Sequence, residues 1–163
     1  QIAALIAGRN TPTFSQALTW KTWIAQLKDV PEGAYIGYGR TYRTTHASRI
    51  AVLPVGYFDG YDRQISNRGF VLCNGKRAPV VGRVCMNMTM VDVTHIDGLS
   101  LGDEVVLMGT QGEESVTPED IAGWTATINY EVISRIGTHV PRIIVKRTAD
   151  SQVEPAPYRL PSR

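Results

Sequence analysis

The dipeptide Asn74-Gly75 separates two apolar runs near the middle of the chain, and it constrains the fold more than any other feature of the sequence. The run Phe70–Cys73 precedes it and residues 78–84 follow it. Asn and Gly tolerate the positive φ angles that a two-residue hairpin turn needs, so this pair between apolar runs is a strong hairpin signal. The sequence therefore predicts two neighbouring antiparallel strands joined by a tight turn.

Further short apolar runs, separated by Gly and Pro, indicate more strands at residues 50–55, 88–93, 103–108 and 143–145. Short runs at this spacing are typical of antiparallel barrels and sandwiches. Residues 17–30 are ambiguous between strand and helix, and their aromatic and Thr content favours one long strand. We therefore expect a mainly β fold: an antiparallel β-barrel or sandwich-like domain with two short helices.

The first of these helices should follow Thr117, a residue type that caps helix N-termini well. Pro118 would occupy its first position and Asp120 its third, where a carboxylate is favoured by the positive end of the helix. We expect this helix to run to about Trp124.

The second helix is expected at residues 130–136. Asn129 is a candidate N-cap, and Gly137 suits a left-handed C-cap. Both helices are short, so most of the core has to come from strands.

The apolar pattern also divides the chain into three parts. Residues 1–16 show no clear period and are expected to form a loosely ordered lead-in, and residues 17–147 form the β-domain. Residues 148–163 carry three prolines and little to bury, so we expect a surface tail.

The charge balance excludes some classes of partner. Lys and Arg total 17 and Asp and Glu total 15, which gives a formal net charge of +2. Binding to nucleic acid through bulk charge, or to a membrane through a polybasic segment, needs a larger positive excess. We therefore expect neither kind of contact from this chain.

The cysteines and histidines point to a reducing compartment and to no metal. Cys73 and Cys85 do not form the dense cysteine framework of a small secreted domain, so both are interpreted as free thiols of a cytoplasmic protein. His46, His95 and His139 have no metal-ligand spacing to one another or to a cysteine.

Four short motifs combine aromatic or polar side chains with glycine or a helix start. Each alone is also typical of an ordinary turn, a buried amide that satisfies a loop, or a helix cap. Their order along the chain is more informative than any one of them. They are residues 37–42 (GYGRTY), 55–61 (VGYFDGY), 78–87 (APVVGRVCMN) and 127–131 (TINYE).

This ordered series resembles the C-terminal β-domain of alanine racemase, over roughly residues 17–147. The resemblance implies an enzyme that uses pyridoxal 5′-phosphate and has two domains. An N-terminal barrel carries the lysine that binds the cofactor, and the β-domain reaches the barrel of the partner subunit in a homodimer. This chain looks like the second domain alone, so we expect it to be inactive and to bind no cofactor by itself.

The resemblance also implies roles for single residues. Tyr38 matches the catalytic tyrosine, which exchanges the α-proton on one face of the substrate while the barrel's lysine serves the other face. Tyr130 matches the tyrosine that contacts the cofactor phosphate. The substrate-side positions are Tyr57, Met86 and Asn87, and the entry corridor positions are Arg63, Arg83 and Ile128.

The resemblance implies alanine as the small amino-acid substrate, interconverted between its L and D forms for peptidoglycan. Asn87 is a departure, because the family often has Asp there, and this substitution bears on substrate preference. A serine or broad-specificity racemase, or a non-enzymatic β-module derived from such an enzyme, therefore stays open as an alternative.

Overall fold

The computed structural model describes residues 16–145, so the expected lead-in, apart from Gln16, and the expected tail lie outside the described residues. Within this range the chain is mainly strand, with two α-helices. The helices are α1 (Pro118–Thr125) and α2 (Asn129–Ser134). The strands are β1 (Trp20–Trp23), β2 (Gln26–Val30), β3 (Tyr35–Ile36), β4 (Tyr42–Arg43), β5 (Ser48–Leu53), β6 (Phe70–Cys73), β7 (Lys76–Pro79), β8 (Thr89–Asp92), β9 (Glu104–Gln111) and β10 (Glu114–Val116).

The strands form antiparallel sheets, which confirms the predicted mainly β, sandwich-like class. One sheet has the order β1-β9-β6-β7, with β10 also paired to β9. A second has the order β2-β5-β8, and β3 and β4 form a small third ladder. Across residues 16–145 these sheets do not close into one continuous barrel, so the sandwich-like alternative is the better description.

The two larger sheets share one stretch of chain. Between β1 and β2 the Ile24 amide donates to the Asp103 carbonyl at 2.9 Å, and the Ala25 amide donates to the Val52 carbonyl at 2.9 Å. The expectation of one long strand over residues 17–30 was therefore wrong, because the chain passes from one sheet to the other at Ile24, whose side chain is buried.

The predicted hairpin is confirmed. Asn74 and Gly75 both have positive φ, 49° and 71°, and Cys73 pairs with Lys76 across the turn. The second strand starts earlier and ends earlier than expected, at Pro79 instead of residue 84. Beyond Pro79 the chain leaves this sheet, and a single bridge from Val80 to Val91 ties it to β8.

The other predicted strands correspond to β5, β8 and β9, with β9 longer than expected. Residues 143–145 form no strand, so that prediction was wrong. Ile143 and Ile144 are 83% and 94% exposed, and no strand of the described chain lies beside them to supply a hydrogen-bonding edge.

Strand β9 is the centre of the core. Its residues Val105, Val106, Leu107 and Met108 are consecutive and all fully buried, so both faces of the strand are covered. Burial on both faces explains why this run shows no alternation of polar and apolar residues. Trp20 and Tyr61 pack edge to face nearby, with ring centroids 5.9 Å apart.

The first helix matches its prediction. Thr117 caps α1: its hydroxyl accepts from the Asp120 amide at 3.1 Å, and the Asp120 carboxylate accepts from the Thr117 amide at 2.8 Å. This reciprocal pairing satisfies two amides that the helix itself leaves free.

The caps predicted for the second helix were wrong. Ile128 is the N-cap, and Asn129 instead lies inside α2 and donates its side-chain amide to Glu119 at 2.7 Å. At the other end Arg135, in a right-handed conformation, is the C-cap, and Gly137 does not have the positive φ that was expected. The Asn129 side-chain oxygen accepts from the adjacent Tyr130 amide at 2.9 Å and not from an amide further into the helix. Neither α1 nor α2 is long and apolar enough to cross a membrane.

The two thiols should differ sharply in reactivity. Both are free, and burial, with a smaller contribution from the charge of Asp103, raises the pKa of the Cys73 thiol to about 12. A thiolate is the reactive form, so iodoacetamide at pH 8 should alkylate the partly exposed Cys85 and leave Cys73 unmodified. Peptide mapping by mass spectrometry checks this, with the guanidinium-unfolded protein as the control in which both react. Equal labelling in the folded protein would contradict the burial of Cys73.

The fully buried Tyr61 should respond to removal of its hydroxyl. This oxygen has no hydrogen-bond partner within the described part of the chain, and burial raises the pKa of the phenol. An unsatisfied buried polar group costs about 1–3 kcal/mol, so Tyr61→Phe should raise the free energy of unfolding by about 1 kcal/mol while its ring still packs on Trp20. Urea unfolding followed by tryptophan fluorescence measures the change. A lower stability of Tyr61→Phe would show that the hydroxyl has a partner.

Candidate functional site

Tyr38 lies in the tight turn that connects strands β3 and β4. Gly37 and Gly39 on either side have φ of 75° and 76°. A Cβ on Gly37 would lie 2.9 Å from the Met90 Cε atom and 3.3 Å from the Arg83 amide nitrogen, so a larger residue would be both strained and crowded. The turn holds Tyr38 out from the surface, with its side chain 75% exposed. A phenol in this position is free to meet another molecule.

In the hairpin that carries Tyr38, two arginine side chains lie over the aromatic ring of Tyr35. The guanidinium carbons of Arg40 and Arg43 lie 5.5 Å and 5.6 Å from the centroid of the Tyr35 ring. Arg40 itself has a φ of 52°, which is uncommon for a non-glycine residue. The Arg83 side chain lies against Gly39, where a Cβ would be 3.5 Å from its Nε atom. The structure therefore brings Arg83 beside the turn that carries Tyr38.

Tyr57 lies on a second turn, which packs on the loop that contains Met86. The Tyr57 amide donates to the Cys85 carbonyl at 3.0 Å, and the Phe58 amide donates to the Met86 carbonyl at 3.0 Å. A Cβ on Gly56 would be 2.1 Å from the Cys85 oxygen, so only glycine allows this approach. Tyr57 and Met86 thus lie side by side, both partly exposed.

The loop of residues 82–88 therefore touches both tyrosine turns. At one end it packs under Gly37, and at the other its carbonyls receive the amides of Tyr57 and Phe58. The Cys85 amide donates to the Met88 carbonyl at 2.9 Å and closes the tip of the loop, where Asn87 is exposed. The two tyrosine turns are in this way both in contact with one loop.

Within the described range, the start of α2 has no direct hydrogen bond to this cluster. Tyr130 is 74% exposed, Ile128 is also exposed, and within residues 16–145 no hydrogen bond joins Tyr130 directly to Tyr38 or Tyr57. The connection runs through the other end of the helix. There the Gly137 amide donates to the Asp59 carbonyl at 2.9 Å, which ties the chain after α2 to the Tyr57 turn.

A charged network reinforces this connection. Arg135 pairs with Asp62 beside the Tyr57 turn and with Glu131 on α2, the latter at 2.6 Å. An open cavity of about 400 Å³ adjoins this network and is lined by Tyr57, Gly60, Asp62, Arg63 and Arg135. The Arg63 side chain is exposed at this cavity, so the structure places it close to Tyr57. An exposed guanidinium can bind a carboxylate through two hydrogen bonds.

Three features define what the site can do chemically. It offers exposed phenols, the exposed amide of Asn87 and several arginine side chains, Arg63 and Arg83 among them. The lysines of residues 16–145 all lie elsewhere: Lys21 is on β1 and pairs with Glu104 at 2.9 Å, while Lys28 and Lys76 are on β2 and β7. Among the described residues no group of three or more His, Cys, Asp or Glu side chains is placed to hold a metal ion.

Sequence reasoning missed two residues that hold the Tyr57 turn. Asp59 and His139 form a pair at 2.9 Å although they are 80 residues apart in the chain. Asp59 lies inside one of the glycine-containing motifs, which is a weak signal for a turn residue. Nothing local to His139 in the sequence marks it as its partner.

A family model described as alanine racemase, C-terminal domain, matches residues 17–144. The alanine racemase of Leptospira interrogans serovar copenhageni is 46% identical over 140 residues, which are 86% of this chain and 36% of that protein. The alanine racemase of Halothermothrix orenii is 52% identical over 133 residues, or 82% of this chain and 35% of that protein.

Solved structures give the same result. Alanine racemase from Bacillus anthracis with bound L-Ala-P has a TM-score of 0.74 and 40% identity, over 78% of this chain and 32% of that chain. Alanine racemase from Bartonella henselae with covalently bound pyridoxal phosphate has a TM-score of 0.73 and 30% identity, over 78% and 34%.

This chain spans about a third of the length of the relatives it matches. Within that span the match covers the sheets, both helices and all three loops described above. The chain belongs to the alanine racemase C-terminal domain family.

Proposed function

We propose that this chain is the C-terminal domain of a cytoplasmic alanine racemase, which interconverts L-alanine and D-alanine for peptidoglycan. In this proposal the domain contributes a tyrosine acid/base to the active site of the partner subunit in a homodimer. The observation that carries the proposal is the exposed Tyr38, held out between two glycines on a turn that packs against the loop of residues 82–88. The relatives are alanine racemases, so the serine, broad-specificity and non-enzymatic alternatives are not favoured.

The residues present fit pyridoxal 5′-phosphate in part. The Tyr130 phenol is largely exposed and offers a hydroxyl for the cofactor phosphate. The amine that binds the cofactor covalently would have to come from the partner's barrel domain, because no lysine lies among the loops described above. When bound, the cofactor withdraws electrons from the α-carbon of the amino acid and so makes its α-proton acidic.

Racemisation needs a proton to leave one face of the α-carbon and another to arrive at the opposite face. The Tyr38 hydroxyl would hold and move the proton on one face, and the barrel's lysine would do so on the other. Positive charge that favours a deprotonated phenol would come from the barrel domain. The protein's own contribution is a rigid turn that fixes where this hydroxyl stands.

The remaining residues would admit and orient the substrate. Arg63 and Arg83, with Ile128, would line the entry corridor, and their positive charge would steer the amino-acid carboxylate. Tyr57, Met86 and Asn87 would border the substrate itself. The contacts that place Tyr57 beside Met86 support this grouping.

Removal of the Tyr38 hydroxyl should block one face of the reaction. General acid–base catalysis contributes about 10²–10⁴-fold, so in the full enzyme Tyr38→Phe should slow α-proton exchange from one alanine enantiomer at least about a hundredfold. Exchange from the other enantiomer should change far less. Mass spectrometry of each enantiomer in D₂O measures both rates, and Tyr35→Phe in the same hairpin is the matched control. Unchanged exchange from both enantiomers would remove Tyr38 from the mechanism.

A carboxylate at position 87 should repel the substrate carboxylate. Asn87 is exposed in the loop that also carries Arg83. Surface charge interactions are worth about 0–1 kcal/mol, so Asn87→Asp should raise KM for alanine about threefold at low salt and leave kcat nearly unchanged. Steady-state kinetics at low and high ionic strength measure the effect, which salt should suppress. Asn74→Asp, in the β6–β7 turn, is the control. An unchanged KM at low salt would place residue 87 away from the substrate path.

A further inference from the structure

We propose that His139 is a positioning residue for Tyr57, which it holds in place through the carboxylate of Asp59. This inference rests on the proposed function in one respect, namely that Tyr57 borders the substrate. The contacts themselves are independent of that function.

The Asp59 carboxylate links the two residues. One of its oxygens accepts from the Gly56 amide at 2.9 Å, and the other lies 2.9 Å from Nε2 of His139. An ionised carboxylate can only accept hydrogen bonds, so in the proposed arrangement the proton is on Nε2 of His139, which donates it. Each carboxylate oxygen therefore has a donor, and the orientation of the group is fixed from both sides.

His139 is itself held in place by the chain around it. Its ring stacks on Phe58, with centroids 4.8 Å apart and planes tilted by 34°. It also lies so close to Gly137 that a Cβ there would be 2.4 Å from the Cε1 atom of the imidazole. The Gly137 amide in turn donates to the Asp59 carbonyl at 2.9 Å. The imidazole is thus a rigid donor, and its hydrogen bond to Asp59 costs little extra ordering.

These contacts bear on Tyr57 because its turn is only three residues long. Cys85 and Met86 hold the Tyr57 and Phe58 amides on one side, and Asp59 holds the Gly56 amide on the other. With the carboxylate released, the amide before Tyr57 would lose its acceptor and the turn would lose one of its anchors. The direction in which the phenol points would then be less defined.

Two substitutions separate the hydrogen bond from the packing. His139→Phe keeps an aromatic ring on Phe58 but cannot donate, whereas His139→Gln keeps a donor and loses the ring. His95→Phe, whose ring lies against His46, is the matched control. The full enzyme is compared by hydrogen–deuterium exchange of the peptide that spans residues 55–61 and by steady-state kinetics with alanine.

A hydrogen bond to a charged group is worth enough to change an opening equilibrium about tenfold or more. We therefore expect exchange in this peptide to be about tenfold faster in His139→Phe, with a severalfold higher KM and kcat within about twofold. His139→Gln should recover most of both effects, and His95→Phe should match the wild type. Unchanged exchange and KM in His139→Phe would overturn the proposal, and so would equal defects in the Phe and Gln variants.

A measurement on the unmodified protein keeps the test decisive if a variant does not fold. The ¹⁵N shifts of labelled histidine report which ring nitrogen carries the proton. Protonation of His139 on Nε2 supports the proposal, and a proton on Nδ1 alone overturns it. An unmodified enzyme that lacks racemase activity would overturn the proposed function, while the exchange and NMR results would still decide the role of His139.

Discussion

The approach of Gly56 to the carbonyl oxygens of Cys85 and Met86 is the contact on which the arrangement of the candidate site depends. It joins the turn that carries Tyr57 to the loop that also packs under Gly37. The two backbones are in direct contact here. No side chain lies between them whose movement could accommodate a shift of either loop. The Tyr57 turn is therefore held on this loop by main-chain hydrogen bonds, and the Tyr38 turn is held by the close packing of Gly37 on the same loop.

Behind these loops lies a strongly determined scaffold. Strand β9 is paired on both edges and buried on both faces, and it anchors the larger sheet. The residues proposed to act on the substrate lie on loops or at the start of α2, outside the strands. This division is common in proteins, since strands supply rigidity while loops can vary without disturbing the core. It allows the domain to expose phenols and arginines on its loops without giving up core packing.

Local chemistry predicted some elements well and others poorly. The Asn74-Gly75 turn and the capped start of α1 were predictable because their determining contacts lie within a few residues. The split of residues 17–30 between two sheets was not, because it depends on partners at Val52 and Asp103. For the site, the roles proposed for the tyrosines rest on the family resemblance of the ordered motifs. The pair of Asp59 and His139 has no local signature, since tertiary packing brings the two together.

The crossing at Ile24 and Ala25 also affects how the domain can come apart. Adjacent residues of the chain are hydrogen-bonded to the two larger sheets. Separation of one sheet would therefore strain the hydrogen bonds of the other. The two halves of the sandwich should consequently melt as one cooperative unit, with no stable half-folded form. In the proposed role, where the Tyr38 phenol meets a second subunit, this coupling would keep the surface that carries Tyr38 intact for as long as any part of the core is folded.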